Sequence, residues 1–342
     1  MLKGIKVIEF GRIFSAPLAG NILKDLNAEV IKIERKGYKD ESRHYGMKLS
    51  DDLSDYYYAL NSEKEVIYID FKNEEDLKLV FKLIKESDVL IHNSIQSSYD
   101  KIGISYQNIK KLNPRLIYAS INGYGNTDNK NTRSQDIVIQ GLSGFMSLNG
   151  NEYDVPQKTG VPVIDYVTGQ NLVIGILAAL LEREKTNRGK EINCSLLESA
   201  LSLIQVEATR YLNLDYCEKR KGNRHYSIAP YNSYKVKDGF IIIAIANDEM
   251  FFRLADLIGL DKEKFQTNEK RISKIDELEG KINEKLIKYP KKEILKLLKE
   301  NNISAGPIND IKEAFDSTEV KDLKNIKKGQ FKSIKLPINF YD

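Results

Sequence analysis

The chain contains few of the residues from which metal centres and disulfide frameworks are built. Its 342 residues include two cysteines, three histidines and no tryptophan. Cys194 and Cys217 lack CxxC spacing, and the histidines lie far apart without the HExxH pattern. The composition therefore argues against a disulfide-stapled fold and against a zinc centre. It predicts a reduced, cytoplasmic setting and a protein without a metal.

Long apolar runs and a strong excess of one charge are also missing. The longest apolar run, residues 172–181, has ten residues, whereas a membrane-spanning helix needs about 20. The first residues read as a strand and lack the apolar segment of a signal peptide. Lys and Arg number 53 against 49 Asp and Glu, a net charge of +4. We therefore expect neither a membrane nor a nucleic acid as a partner, and the weak positive bias suits an anionic small molecule.

Short apolar strands alternate with helical patterns through the first half of the chain. The predicted strands are residues 5–10, 29–34, 66–69, 89–92 and 116–122. The predicted helices between them are residues 18–26, 74–86 and 106–112. This alternation predicts an α/β fold with a parallel sheet, in which ligands collect at the carboxyl edge. The GxGxxG fingerprint of ordinary dinucleotide sites is absent.

The second half holds a longer helix and then a change in composition. Residues 165–185 are nearly all apolar, which predicts a helix buried on all sides, in a core or a subunit interface. A further helix is predicted at 196–212. Two alternating runs flank an Asp-Gly turn near residue 238 and predict a hairpin. We predict a large domain at residues 1–215, a linker and small α+β domain at 216–305, and a C-terminal return segment at 306–342.

One acidic residue stands at the centre of this pattern. Asp136 follows a polar loop, residues 125–132, and begins an apolar run spaced as one helical face. The position is typical of an N-cap, whose carboxylate accepts the free N–H groups of the next turn. It also suits a nucleophile, because the same donors and the positive end of a helix keep a carboxylate ionised and directed. The local sequence leaves both interpretations open.

Several longer stretches resemble one family, and they occur in that family's order. They are LKGIKVIEF (2–10), Pro17, NAEVIKIER (27–35), LNSEK (60–64), IDFK (69–72), LNPRLIYASINGY (112–124), GILAALLER (175–183), TNRG (186–189), GNRHYSIAPY (222–231) and AGPIN (305–309). On these motifs the sequence resembles the family III CoA-transferases and their racemase relatives.

The resemblance implies a Rossmann-like, CoA-binding large domain, a small α+β domain and a homodimer whose subunits interlock. The resemblance also implies that the substrates are an acyl-CoA and a small carboxylic acid. In the implied mechanism an aspartate attacks the acyl-CoA thioester and forms a mixed anhydride. The CoA thiolate returns to give an aspartyl-CoA thioester, and the acceptor carboxylate then takes over the CoA. Matching the motifs by position places this nucleophile at Asp136.

The resemblance also assigns residues to coenzyme A and to the exchanging acids. CoA carries phosphates, for which cations and backbone N–H groups are suitable partners. By position, the CoA-binding residues are Arg35, Lys72, Asn93, Lys101, Asn122, Gly123 and Tyr124. Lys101 replaces a frequent arginine and keeps the charge without the bidentate fork. The residues near the acids are Phe14, Gln135, Asp165, Gly222 and His225.

Departures from the family pattern bear on the substrate. The formyl-CoA branch has Gln where this chain has Phe14. Its small domain has a tetraglycine loop, whereas this chain has Gly222 and His225 in the neighbouring region. Formate and oxalate are therefore not expected. Residues 227–231, SIAPY, most resemble the branch that acts on dicarboxylic or branched small acids.

The racemase branch is the main alternative. Its proton shuttle uses a His directly before the aspartate and a second acid further along the chain. The second acid is present as Asp165, but Gln135 stands at the His position and has no proton to exchange. This favours transfer over racemisation, and Asp165 also fits a cap of the long helix. A CoA-binding protein without turnover is a third interpretation, based on a tail shorter than the family's.

Overall fold

The computed structural model describes residues 1–129 and 131–341. Residue 130, in the predicted loop 125–132, and residue 342, at the end of the predicted return segment, lie outside the described residues. The chain divides into two compact units. The first comprises Met1–Met146, Lys158–Cys217 and the chain from Asn325 onward, and the second comprises Ser147–Gln157 and Glu218–Lys324. The assignment of functions to residues 1–215, 216–305 and 306–342 stays a prediction.

Strands and helices follow one another closely up to residue 217. In chain order they are β1 (Lys6–Glu9), α1 (Ser15–Asp25), β2 (Glu29–Arg35), a 3₁₀ helix (Glu41–His44), β3 (Lys48–Ser50), β4 (Leu53–Ser54), α2 (Asp55–Asn61), β5 (Glu65–Ile69), α3 (Glu74–Glu86), β6 (Val89–His92), α4 (Gln96–Asp100), α5 (Tyr106–Leu112), β7 (Ile117–Asn122), α6 (Asp136–Leu142), a second 3₁₀ helix (Phe145–Ser147), α7 (Val163–Thr186), β8 (Glu191–Ser195), α8 (Leu196–Leu203) and α9 (Gln205–Leu214).

The first unit is built on a parallel sheet. Among the described residues, six strands pair in parallel in the order β5, β2, β1, β6, β7 and β8. The α/β class and the parallel sheet are therefore confirmed. Neighbouring residues of β1 enter different cores, Val7 the one that includes α1 and α7, and Ile8 the one that includes α3. Because both faces are covered, successive residues such as Val7 and Ile8 in β1 and Val89–Ile91 in β6 are all apolar and buried.

The second unit has its own core around an antiparallel sheet. Its elements are β9 (Tyr231–Val236), β10 (Gly239–Ala244), α10 (Asp248–Ile258), α11 (Asn268–Ser273), α12 (Ile275–Leu286), α13 (Lys291–Glu300), β11 (Ala305–Pro307), α14 (Ile311–Asp316) and α15 (Thr318–Asp322). β9 and β10 pair around the Asp-Gly turn, which confirms the predicted hairpin, and β11 adds to the other side of β10. The helices α10, α12 and α13 bury apolar faces against this sheet.

The end of the chain returns to the first unit as a small hairpin, β12 (Ile326–Lys328) and β13 (Lys332–Ile334). Lys327 Nζ lies 3.0 Å from Asp25 Oδ1 and 2.9 Å from Glu63 Oε2. Between the two strands, the Phe331 ring packs on Tyr58 with centroids 5.4 Å apart, and the Tyr58 hydroxyl donates to the Phe331 carbonyl at 2.8 Å. Charge and aromatic contacts thus attach the tail to α1 and to the region of α2.

The structure corrects one of the two predicted long helices and leaves part of the other untested. The helix predicted at 196–212 is two helices, because Ile204 leaves the helical conformation between α8 and α9. α7 was expected to be buried in a core or a subunit interface; within the single chain Ile174 and Leu181 are 64% and 72% exposed, so burial of this face in an interface stays a prediction. Its other face packs against α1, β7, β8 and α8. Within the described residues, α7 is also the one helix whose length and composition would allow it to cross a membrane.

Candidate active site

Asp136 is the first residue of α6, and its carboxylate lies against the start of α7. Oδ2 accepts hydrogen bonds from the backbone N–H groups of Ile164 (2.9 Å) and Asp165 (3.1 Å). In the described structure no side chain at the cap position of α7, Pro162, satisfies these donors. Asp136 therefore caps α7 from a different segment of the chain. The positive end of this 24-residue helix favours an anion at that point.

This arrangement corrects two predictions about capping. Asp136 does not cap its own helix, because Gln135 occupies the N-cap position of α6 and Asp136 already belongs to the first turn. Asp165 does not cap α7, because it is the third residue of that helix. Its carboxyl group instead forms a hydrogen bond with Ser15 at the start of α1. α6 does begin at Asp136, as the sequence predicted, but the Asp136 carboxylate binds the backbone N–H groups of α7.

Gln140 approaches the other oxygen of the same carboxylate. It lies one helical turn after Asp136 and is fully buried, and its Nε2 donates to Asp136 Oδ1. The amide is itself held by Thr159, whose N–H donates to Gln140 Oε1 at 3.0 Å. Gln140 Nε2 also donates to the Thr159 hydroxyl at 3.2 Å. Both oxygens of Asp136 are thus bound by neutral donors.

Asp165 adds a second carboxyl group beside Asp136. Burial raises the pKa of Asp165, and repulsion from the Asp136 charge raises it further, to about 7, although the bond with Ser15 lowers it. Asp165 therefore holds a proton at a pH where an exposed aspartate is ionised. The pair combines one carboxylate fixed by hydrogen bonds with one group that can carry a proton near neutral pH.

Aromatic rings surround this pair. Phe14 meets the rings of Tyr56 and Tyr166 edge-on, at 5.7 and 4.7 Å between centroids, and Tyr45 meets Tyr56 at 5.6 Å. Burial raises the pKa of Tyr56, and the nearby charge of Asp165 adds to the effect. The Tyr56 hydroxyl therefore stays protonated, and the buried Phe14 ring forms an apolar wall beside the carboxyl groups.

Four buried charges, which we call the ion cluster, lie beside the loop between β1 and α1: Glu9, Lys32, Asp40 and Lys64. Lys32 and Lys64 donate to Glu9 at 3.1 and 2.8 Å, and Lys32 Nζ lies 3.1 Å from Asp40. Burial alone would lower the pKa of Lys32 and raise that of Asp40. Their mutual attraction and other bonds outweigh it, so the pKa of Lys32 is raised and that of Asp40 is lowered.

The ion cluster fixes the loop that presents Phe14 to the site. The carbonyls of Gly11 and Pro17 accept from its two lysines at 2.6 and 2.8 Å. The N–H of Ile13 donates to Asp40 at 3.2 Å. Ile13 has a φ of +67°, a left-handed conformation that is costly for a β-branched residue. The buried charges therefore hold a strained loop, and the loop carries one wall of the site.

The residues predicted to bind CoA gather at the carboxyl edge of the parallel sheet, with Lys101 at the end of the helix after β6. Arg35 ends β2, Lys72 follows β5, Asn93 follows β6, Lys101 follows α4, and Asn122 ends β7 before Gly123 and Tyr124. The side chains of Arg35, Lys72 and Lys101 are exposed and carry the positive charge that phosphates require. The edge thus suits a phosphorylated ligand, and contact with CoA stays a prediction.

The asparagines of this edge already have structural partners. Asn93 exchanges two hydrogen bonds with the Arg12 backbone, at 2.9 and 2.8 Å, and so ties the ends of β1 and β6. Asn122 closes a turn by accepting the N–H of Gly125 at 2.6 Å. At Gly123 a Cβ atom would lie 2.0 Å from the Ser134 hydroxyl oxygen, so a side chain would not fit. The shape of the edge depends on these three positions.

Gly222 and His225 lie in the second unit. They line a cavity of about 590 Å³ together with Tyr153, Tyr226 and Asn232, among others. Gly222 has a φ of +63°, and the His225 ring stacks on Tyr226 at 4.4 Å. The roles of both residues toward the exchanging acids stay predictions. In the described parts of the chain no group of three or more His, Cys, Asp or Glu residues could hold a metal ion.

Comparison with known proteins decides the family. The sequence model of CoA-transferase family III matches residues 2–340. The chain belongs to CoA-transferase family III. The succinate–glutarate CoA-transferase of Agrobacterium fabrum is 36% identical, over 94% of this chain and 83% of the relative. The human succinyl-CoA:glutarate CoA-transferase is 32% identical, over 93% and 74%. A solved CaiB/BaiF family protein of Brucella suis is 35% identical with a TM-score of 0.92, over 100% of this chain and 93% of the other.

The resemblance drawn from the motifs is therefore confirmed, and this family III CoA-transferase is an enzyme that transfers CoA between an acyl-CoA and a carboxylate. Sequence reasoning missed Ser15, Tyr56, Gln140 and Thr159 at its candidate site. Only Gln140 had a readable signal, the i, i+4 spacing from Asp136 on a helix. The others come from distant segments that folding alone brings together.

Proposed function

We propose that this transferase moves CoA from an acyl-CoA to a small dicarboxylic acid through covalent intermediates on Asp136. The observation that carries the proposal is the Asp136 carboxylate at the start of α7, where Ile164, Asp165 and Gln140 fix both oxygens. Such donors keep a carboxylate oriented without neutralising it by a cation. The names of the two glutarate transferases that it resembles support a dicarboxylic acid.

The proposed sequence begins when an Asp136 oxygen attacks the acyl-CoA carbonyl carbon. The C–S bond breaks, CoA leaves as a thiolate, and a mixed anhydride remains. The thiolate then attacks the aspartyl carbon, and the first acid leaves as a carboxylate with the bridging oxygen. The acceptor carboxylate attacks the resulting aspartyl-CoA thioester and releases the thiolate again. Attack of that thiolate on the acceptor acyl carbon releases product and restores Asp136.

CoA is proposed to lie along the carboxyl edge of the sheet in the first unit. Arg35, Lys72 and Lys101 would bind its phosphates there. Because Gly123 has no side chain, the thiol arm of CoA would be able to approach the start of α6. This placement is supported by exposed positive charge at the ends of β2 and β5 and after α4. Loss of one of these cations is expected to raise KM for acyl-CoA more than it lowers kcat.

The role of Asp136 is tested by replacing it with Asn. We expect transfer to be lost while acyl-CoA still binds, because the amide cannot form the anhydride. Hydroxylamine added to wild-type enzyme with acyl-CoA should leave a hydroxamate on Asp136, located by peptide mass spectrometry. The matched control is Asp51→Asn, at an exposed turn. Wild-type turnover by Asp136→Asn would overturn the proposal.

We also propose a homodimer with interlocked subunits. Several apolar side chains on α8 and α9 face outward, and none of the residues of α9 is buried. Leu212 and Leu214 are 78% and 72% exposed. Apolar surface of this extent is typical of an interface. The mass in solution at micromolar concentration should be twice that of the chain, and a mass near 39.1 kDa would contradict the dimer.

One observation favours a second activity, racemisation of a 2-methylacyl-CoA. Asp165 can carry a proton near neutral pH, as a proton shuttle requires. The second proton-exchanging group that such a shuttle requires is missing, because the exposed Gln135 cannot exchange a proton. In deuterated water, transfer should proceed without deuterium at carbon 2 of the acyl group. Deuterium uptake that does not depend on a carboxylate acceptor would support the racemase instead.

A further inference from the structure

The order in which strands join the parallel sheet reverses beside β1. In chain order β2 and β5 are added on one side of β1, whereas β6, β7 and β8 are added on the other. The helix after β1 packs in the core on one face of the sheet, and the helices after β6 pack in the core on the opposite face. Ligands of open α/β sheets bind in the crevice that such a reversal leaves at the carboxyl ends of the strands. The residues after β1 and β6 are therefore expected to face a ligand.

Arg12 lies at this reversal. It follows β1, and the side chain of Asn93, the first residue after β6, exchanges two hydrogen bonds with its backbone at 2.9 and 2.8 Å. The Arg12 guanidinium pairs through Nη2 with Glu41 of the first 3₁₀ helix, in the connection after β2. Arg12 is thus held between the loops that follow β6 and β2, and its side chain stays 43% exposed.

Arg12 also completes a row of positive charges along the carboxyl edge. One cation follows each of four neighbouring strands: Lys72 after β5, Arg35 at the end of β2, Arg12 after β1, and Lys101 beyond β6 and α4. Neighbouring strands lie about 5 Å apart. CoA carries a diphosphate and a 3′-phosphate, and a ligand with several phosphates suits a row of cations better than a single one.

We propose that Arg12 binds the diphosphate of CoA. The inference rests on the proposed placement of CoA along this edge, and it is independent of which carboxylate is the nucleophile. Within the described structure, Nη2 is the one guanidinium nitrogen of Arg12 with a protein acceptor. A guanidinium has further N–H donors in the same plane, and these match the oxygens of a phosphate.

The start of α1 supports an anion at the same place. This 11-residue helix begins at Ser15, shortly after Arg12, and its N-cap residue is Phe14, whose side chain has no hydrogen-bond acceptor. The positive end of the helix is therefore left without a cap from that residue. A diphosphate at the first helix start after β1 is the usual arrangement in sheets of this strand order.

Glu41 orients Arg12 and also opposes the ligand. Its Oε1 accepts from Arg12, whereas Oε2 is buried without a hydrogen-bond partner among the described residues. A guanidinium and a carboxylate can form a bidentate pair, so this pair is incomplete and leaves donors of Arg12 to a second anion. Because Glu41 is itself an anion, its charge lowers the affinity of the same place for a phosphate.

The first test is Arg12→Gln, measured by calorimetric titration with CoA. We expect Kd to rise by about 10- to 100-fold, the usual worth of hydrogen bonds to a charged group. KM for acyl-CoA should rise with it while kcat stays nearly constant, because the contact is remote from the thioester. The matched control is Arg115→Gln, an exposed arginine before β7 at the opposite edge of the sheet. A Kd for Arg12→Gln within about twofold of wild type would overturn the inference.

Arg12→Lys keeps the charge opposite Glu41 and remains informative if the Gln variant does not fold. It loses the planar fork, so we expect a Kd between those of wild type and Arg12→Gln. A wild-type Kd would show that no guanidinium hydrogen bonds reach a phosphate, and it would overturn the proposal.

Truncated substrates identify the phosphate that Arg12 binds. Acyl-dephospho-CoA lacks the 3′-phosphate and keeps the diphosphate, whereas an S-acylpantetheine lacks both. The loss of kcat/KM in Arg12→Gln should persist with acyl-dephospho-CoA and vanish with S-acylpantetheine. A loss that already vanishes with acyl-dephospho-CoA would contradict the assignment to the diphosphate.

Glu41→Gln separates a ligand-binding pair from one that only supports the fold. The amide oxygen can still accept from Arg12, but the negative charge is gone. We expect the Kd for CoA to fall by about two- to fivefold, a change opposite in sign to that of Arg12→Gln. If both variants weaken binding together with thermal stability, the pair is structural and the inference is wrong.

Arg35→Gln and Lys72→Gln separate this inference from the proposed placement of CoA. We expect both variants and Arg12→Gln to raise the Kd for CoA. If Arg35→Gln and Lys72→Gln raise it and Arg12→Gln does not, the placement stands and the role of Arg12 is wrong. If none of the three raises it, the placement of CoA along this edge fails, and the inference fails with it.

Discussion

Two buried groups of charge in the first unit solve the same physical problem in opposite ways. The ion cluster matches two carboxylates with two ammonium groups, all at most 1% exposed in their side chains. The pair Asp136 and Asp165 brings two acids together, and in the described part of the chain no ion pair joins a cation to either of them. Neutral donors hold the pair instead. Balanced charge fixes structure, whereas unbalanced charge leaves a carboxylate available for reaction.

At two buried aspartates, one from each group, the direction of the pKa shift follows the charge of the partner and not the burial alone. Asp40 and Asp165 are both largely buried, and burial raises the pKa of each. At Asp40 the charge of Lys32 reverses the effect, whereas at Asp165 the charge of Asp136 adds to it. A buried acid beside a base therefore stays charged, and a buried acid beside another acid holds a proton near neutral pH. Only the second kind can take part in both charged and neutral states of a reaction.

The largest effect on stability is expected when the balance of the ion cluster is broken. Glu9→Gln leaves Lys32 and Lys64 buried with one carboxylate between them. Loss of one partner from a buried pair costs about 3–5 kcal/mol, because the remaining charge is uncompensated. The free energy of unfolding from urea titration should fall by that amount. A change below about 1 kcal/mol would show that the cluster does not depend on this balance.

A smaller, pH-dependent effect is expected at the acidic pair. The pKa of Asp165 is about 7 in the folded protein against an ordinary value of 3.8. The folded state therefore loses stability as the pH rises from about 4 through 7, because the unfolded chain ionises first. Asp165→Asn removes this loss, so its stability relative to wild type should increase over that range and level off above it. Urea titrations at several pH values measure the difference, and a constant difference would contradict the raised pKa.

The smallest effect on stability is expected at an exposed ion pair. This pair is the reference for the ion cluster and for the acidic pair. Lys78 and Glu75 lie 2.7 Å apart on α3 with side chains 69% and 79% exposed. Water screens such a pair, so Lys78→Ala should change the free energy of unfolding by no more than about 0.5 kcal/mol. A loss as large as that of Glu9→Gln would mean that burial is not what separates the three sites.

Much of the fold and the position of Asp136 could be predicted from the sequence, since both depend on local patterns and family motifs. Alternating strands and helices predicted the parallel sheet, and a polar-to-apolar transition predicted a helix start at Asp136. The partner of Asp136 could not be predicted, because Ile164 lies 28 residues away and contributes only a backbone N–H. The carboxylate was therefore assigned to the wrong helix.

The ion cluster shows why charged residues mislead sequence analysis. Glu9, Lys32 and Lys64 each lie in or beside a strand, and each on its own resembles a surface charge. They are buried because β1, β2 and the start of β5 meet, and because Gly20 leaves room for the Glu9 carboxylate, which lies 1.9 Å from where a Cβ atom would be. The strained Ile13 loop depends on this cluster, because Ile13 N–H donates to Asp40 and the Gly11 carbonyl accepts from Lys32. No local pattern contains this information.

Oxygen exchange at Asp136 is the most direct test of the proposed mechanism. The enzyme is incubated with acyl-CoA and an acceptor acid labelled with ¹⁸O in its carboxylate, and the peptide that contains Asp136 is analysed by mass spectrometry. In the proposed sequence the oxygen that bridges aspartate and acceptor comes from the acceptor and remains on Asp136 when product leaves. We predict ¹⁸O on Asp136 and on no other residue, and none in Asp136→Asn. Turnover without ¹⁸O on Asp136 would contradict the mechanism, because CoA would then be transferred without a covalent intermediate on that residue.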